Sequence, residues 1–79
     1  MSNTVYTSAD LLWEETVQTM ACPDREIRGF VLKTDDGRYR VVRALGAGRY
    51  ASMLITGDYQ KAKEELSLVV YGTTEGVTL

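Results

Sequence analysis

The stretch Thr7–Cys22 reads TSADLLWEETVQTMAC. Within it Ala9, Leu12, Trp13, Val17 and Met20 recur at three- and four-residue intervals, the spacing that puts side chains on one helix face. Glu14, Glu15 and Gln18 lie away from that stripe. Thr7 and Asp10 form a capping-box variant, with Thr7 as N-cap and Asp10 reaching back to it; Ser8 is the alternative cap. An acidic residue in the first turn also suits the positive end of the helix dipole. Pro23 disfavours helical backbone at Cys22. The spacing predicts a helix over residues 8–21, with Trp13 as a core anchor on its stripe.

Downstream, Arg28–Arg43 reads RGFVLKTDDGRYRVVR, apolar and polar residues in alternation about Asp36-Gly37. Aspartate followed by glycine favours a two-residue turn, whose central positions both need positive φ. Centring the turn there predicts strands over about 26–34 and 39–45, with Leu32 opposite Val41 and Phe30 opposite Arg43. Phe30, Leu32, Tyr39, Val41 and Leu45 then form the core face. Arg28 and Arg43 sit at its rim, and Ile27, Val31 and Val42 share the outer face with Lys33, Arg38 and Arg40. A third strand is expected over about 50–56, after the loop Gly46-Ala47-Gly48. Thr56 or Asp58 caps a second helix, DYQKAKEELSLVVY, whose tail at 67–71 is β-branched enough to read also as a strand. Thr73 to Leu79 reads as an edge strand or, like residues 1–6, a frayed end. The expected fold is one α+β domain over 1–79: N-terminal helix, three-stranded antiparallel meander, second helix, optional short C-terminal strand.

Composition removes several function classes. The chain has 79 residues, no histidine and one cysteine, so Ser-His-Asp and Cys-His catalysis have no base and an intramolecular disulfide is impossible. Cys22 reads as a small buried or half-buried thiol. The pairs Glu14-Glu15, Asp35-Asp36 and Glu64-Glu65 are explained by helix faces and turn chemistry. Gly46-Ala47-Gly48-Arg49-Tyr50-Ala51 fits G-x-G-x-x-A but follows a hairpin strand, so it reads as a connector rather than a dinucleotide loop. No enzyme, cofactor or metal is expected. No apolar run approaches the roughly 20 residues of a membrane span, and the N-terminus lacks the pattern of a signal peptide, so the expected compartment is the cytoplasm.

Charge is the remaining signal. Net charge is −2, split as −4 over residues 1–24, +4 over 25–49 and −2 over 50–79. The basic middle, with Lys33, Arg38, Arg40, Arg49 and Tyr50, is the expected partner surface, because arginine and aromatics are enriched at protein interfaces. The expectation is a non-enzymatic module that docks on a protein, with homodimerisation as one way to cover the outer sheet face. The alternative is nucleic-acid binding through the hairpin, disfavoured by a pI near 5.0. Three strands backed by a C-terminal helix, over roughly residues 26–71, resemble the arm-binding domains of phage integrases, which implies strands presented to a DNA groove. Small, acidic, motif-poor domains of this kind also look like accessory proteins of phages and other mobile elements, including inhibitors of host defence.

Overall fold

Residues 15–21, expected as the second half of a helix, lie in a strand that runs on to Cys22. The computed structural model describes residues 4–72. In them β1 (Thr4–Thr7), β2 (Glu15–Cys22), β3 (Ile27–Lys33), β4 (Tyr39–Gly46) and β5 (Arg49–Thr56) precede one helix, α1 (Tyr59–Tyr71). The strands form a single antiparallel sheet in the order β1-β5-β4-β3-β2. The α-β-β-β-α expectation is therefore corrected to five strands and a C-terminal helix. Residues 67–71 are helical, and a C-terminal strand over 73–79 lies outside the described residues.

The first error has a local cause. In β2, the pairing with β3 shifts between Thr16 and Gln18, a bulge that adds Val17 to the strand. Val17 and Met20 both pack against the helix-side core, although simple alternation would put residues three apart on opposite faces. The bulge thus turns a period of two into a spacing of three, which is also helical spacing. The capping box does form: the Thr7 N–H donates to Asp10 Oδ2 at 2.9 Å, and the Asp10 N–H donates to Thr7 Oγ1 at 3.4 Å. It opens a chain of turns over residues 8–14 that stops before becoming a helix.

The second error is a register slip of one. Lys33 pairs with Tyr39, Val31 with Val41 and Phe30 with Val42. The loop holds three residues, Asp35-Asp36-Gly37, with Gly37 at φ 82° and Thr34 N–H donating to Arg38 O at 2.8 Å. A three-residue loop ending in a left-handed glycine adds one residue to the two-residue turn. Because side chains alternate, that slip moves β4 to the opposite face relative to β3. Val31 and Val41 therefore share the helix side with Ile27, and Leu32, Phe30 and Val42 share the other. Both faces are covered, so Ile27, Val31 and Val42, expected outside, are buried, while Leu45 is exposed.

Helix α1 packs on β2 to β5 and completes the main core with Ala62, Leu66 and Val70. Asp58 Oδ1 caps it by accepting from the N–H groups of Gln60 and Lys61, and Gly72 ends it at φ 78°. Gly29 lies under it: a Cβ there would fall 2.5 Å from Leu66 Cδ1 and 3.2 Å from the Val42 carbonyl. This close approach is what lets the helix settle on the sheet.

Candidate functional site

The two edge strands, β1 and β2, are consecutive in sequence, so residues 8–14 must cross the sheet. They do so on the face opposite α1, as a strap. Turn bonds shape it: Leu11 N–H to Ser8 O (3.3 Å), Leu12 N–H to Ala9 O (3.4 Å) and Glu14 N–H to Leu11 O (3.1 Å). Its first end is tied to the β4–β5 turn, where Ser8 N–H donates to Gly48 O at 3.0 Å. Its middle is held by Leu11, which buries against Leu32 and Val42 with Tyr6, Phe30 and Tyr50 around it.

The other end is held by an ion pair. Arg40 Nε donates to Glu14 Oε1 at 2.9 Å and Nη2 to Oε2 at 3.1 Å, a bidentate fork. Arg40 Nη1 donates to the Tyr6 hydroxyl at 3.1 Å, and its guanidinium lies 4.8 Å from the centre of the Tyr6 ring. The two charged side chains are only 12% and 13% exposed. The Glu14 carboxylate, accepting these bonds, raises the Arg40 guanidinium above its ordinary range, against the opposing cost of burial. Glu14 thus ties the strap to β4 and stands neutralised.

Between these anchors Leu12 and Trp13 face solvent, 70% and 81% exposed. Trp13, expected as a core anchor, is therefore on the surface. The sequence signal for this was the run Leu11-Leu12-Trp13: a strap lying on a sheet has one inner side, and only Leu11 takes it. Beside the pair opens a cleft of about 170 Å³, walled by Leu11, Phe30, Leu32, Val42 and Tyr50. Ser8, Glu14 and Thr16 supply its polar edge.

The five residues expected to form one partner surface are spread over the molecule. Lys33 is exposed at the end of β3, between Glu15 and Tyr39. Arg38 lies in the same hairpin and pairs with Asp36 at 2.9 Å, both half-exposed. The Thr34 hydroxyl, donating to Asp36, is the main cause holding that carboxyl below the usual carboxylate range; Arg38 adds to it. Arg40 is engaged by Glu14. Tyr50 lines the cleft, edge-on to Phe30 at 6.0 Å between ring centres. Arg49 opens β5 opposite Thr7, at the other end of the sheet. Only Arg40 and Tyr50 share the strap face. Sequence reasoning also missed that Arg28, Arg43 and Arg49 have no carboxylate partner among the described residues, whereas Arg38 and Arg40 do.

Comparison with protein-family models, with curated proteins and with solved structures found no match. No helix among the described residues is long and apolar enough to cross a membrane.

Proposed function

We propose that the protein is a non-enzymatic binding module that works through protein–protein contact, with Leu12 and Trp13 as its anchor. The observation that carries this reading is the 81% exposure of Trp13 on a strap tied down at both ends. Tryptophan is over-represented among the residues that dominate interface energies. A strap already ordered by turn bonds, a buried leucine and an ion pair loses little further freedom on docking, so more of the contact energy survives as affinity. A role as an accessory protein of a mobile element belongs to the same reading, supported by the acidic, motif-poor sequence.

The test is capture of a partner by the immobilised chain, repeated with Trp13→Ala and with Arg38→Glu/Arg49→Glu. Loss of capture with Trp13→Ala alone supports the strap. Capture unchanged by Trp13→Ala overturns it. A second reading, contact with nucleic acid, is favoured by Arg28, Arg43 and Arg49, which have no carboxylate partner among the described residues. It requires a band shift that weakens steeply with salt and with Arg43→Glu.

A further inference from the structure

We infer that the partner of the Leu12–Trp13 anchor is a second copy of this chain, each Trp13 entering the other's cleft; this rests on the protein-contact reading above. Four observations converge on it.

The first is size. An apolar cavity of about 150 Å³ accommodates a benzene-sized ring, so a cleft of about 170 Å³ seats the six-membered ring of an indole and leaves the five-membered ring at its open mouth. Its walls, Phe30, Tyr50, Leu32 and Val42, are the aromatic and branched surfaces an aromatic side chain packs against. The second is chemistry. A buried indole needs an acceptor for its N–H, and Ser8, Glu14 and Thr16 present oxygen atoms at the edge of the same cleft.

The third is placement. Trp13 stands on the strap between Leu11 and Glu14, which both line the cleft. Anchor and receptor therefore lie side by side on one face. A two-fold axis through that face gives each copy both contacts at once, the self-complementary arrangement of a closed dimer. The fourth is area and charge. Two exposed side chains of this size offer about 300 Å² per copy, so the reciprocal contact totals roughly 700 Å² with the cleft mouth included, the scale of a weak, concentration-dependent dimer rather than a permanent one. The carboxylate that lines the cleft, Glu14, is already paired with Arg40, while Asp10 and Glu15 flank the contact as exposed carboxylates, so association should strengthen with added salt.

The protein carries its own reporter, since Trp13 is its single tryptophan. Sedimentation equilibrium of the full chain over a concentration series should give a dimer mass at the upper end. Trp13 emission should shift to the blue in step with it. Trp13→Ala removes the anchor, and Thr16→Phe fills the receptor while keeping Trp13. Each alone should sediment as a monomer, with a far-ultraviolet circular dichroism spectrum like that of the parent. Thr16→Phe should also keep the red emission of a solvated indole. Mixing the two variants restores one anchor with one open cleft, so a weaker heterodimer with blue-shifted emission should form.

A monomer mass at every concentration overturns the inference, as does a dimer that persists in Trp13→Ala. The two readings separate cleanly. If the parent is monomeric while Trp13→Ala abolishes capture of another protein, the second-copy inference falls and the protein-contact reading stands. If Trp13→Ala changes neither mass nor capture, both fall.

Discussion

The two faces of the sheet are covered by very different means. On one, a 13-residue helix lays Ala62, Leu66 and Val70 onto Val31 and Val41, all five without measurable exposure. Its last turn is fastened as well: Arg25 Nη1 donates to Val70 O at 3.0 Å, and the Tyr71 hydroxyl donates to Ala21 O at 2.8 Å. On the other face, only Leu11, Leu32 and Val42 form the buried cluster among the described residues, and an ion pair does what extra apolar contacts would otherwise do. A regular helix presents several residues to one side at no cost in backbone hydrogen bonding. A short strap of turns presents one, and its neighbours are left facing water. The difference separates the labour of the two faces. The helix side holds most of the buried apolar surface, and the strap side leaves Leu12 and Trp13 facing water.

The largest expected effect follows from the helix side. Leu66→Ala should cost about 3 kcal/mol, because its site is closed on all sides and the cavity cannot collapse. In a domain this small that is a large share of the total stability. Leu11→Ala should cost less, about 1–2 kcal/mol, since the strap can settle into the space and adjacent solvent can enter. Urea unfolding of both variants gives the comparison directly. Equal shifts of the midpoint would mean that the strap is as much a part of the core as the helix.

Next in size is the ion pair. Arg40→Ala leaves the partly shielded Glu14 carboxylate without its fork, which should cost about 2 kcal/mol, less than breaking a fully buried pair. Replacing both partners, Glu14→Met with Arg40→Leu, should return most of that loss, because packed apolar groups often match a buried pair in stability. A double-mutant cycle by urea unfolding measures the coupling. If the double variant is no more stable than Arg40→Ala, the pair is not what ties the strap to β4.

The sequence made the helix side partly legible and the strap side hardly at all. Strands β3, β4 and β5 and helix α1 fall within two residues of where alternation, Asp58 and Gly72 put them. The pairing of β4 with β5 shifts between Val41 and Val42 and between Ala44 and Gly46, but glycine turns bracket both strands, and β3 and α1 keep a single period from end to end. β2 does not: the bulge at Val17 breaks its alternation, and Thr16, Val17 and Thr19, a β-branched cluster, were the competing signal. The turn at Asp36-Gly37 was found in its place, but its length was misread by one residue, and one residue is enough to exchange the faces of a whole strand. The positive patch expected at Lys33, Arg38 and Arg40 dissolved for another reason. Asp36 is near Arg38 in sequence, but Glu14 reaches Arg40 across 26 positions, and no local pattern announces such a partner.

The smallest effect concerns the turn that holds the strap's first end. In Gly46-Ala47-Gly48-Arg49, Gly46 pairs with Arg49, and Ala47 and Gly48 take φ values of 54° and 71°. Positive φ at both central residues is the geometry whose twist matches that of the flanking strands. Alanine pays for it, at about 1 kcal/mol, because its Cβ crowds the following carbonyl. Ala47→Gly removes the crowding but adds backbone freedom to the unfolded chain, about 0.5–1 kcal/mol in the other direction, so its net effect should be close to zero. Ala47→Asn tolerates the left-handed conformation without the full entropy of glycine and should stabilise by about 0.5 kcal/mol. Thermal unfolding would register that as a rise of a few degrees in Tm. Since Ser8 reaches the strap's anchor at the Gly48 carbonyl, a firmer turn also holds the strap more firmly. In Ala47→Asn, hydrogen exchange at the Ser8 amide should therefore slow along with the melting shift. A gain in Tm without that slowing would show that the turn stabilises the sheet alone and that the strap moves independently of it.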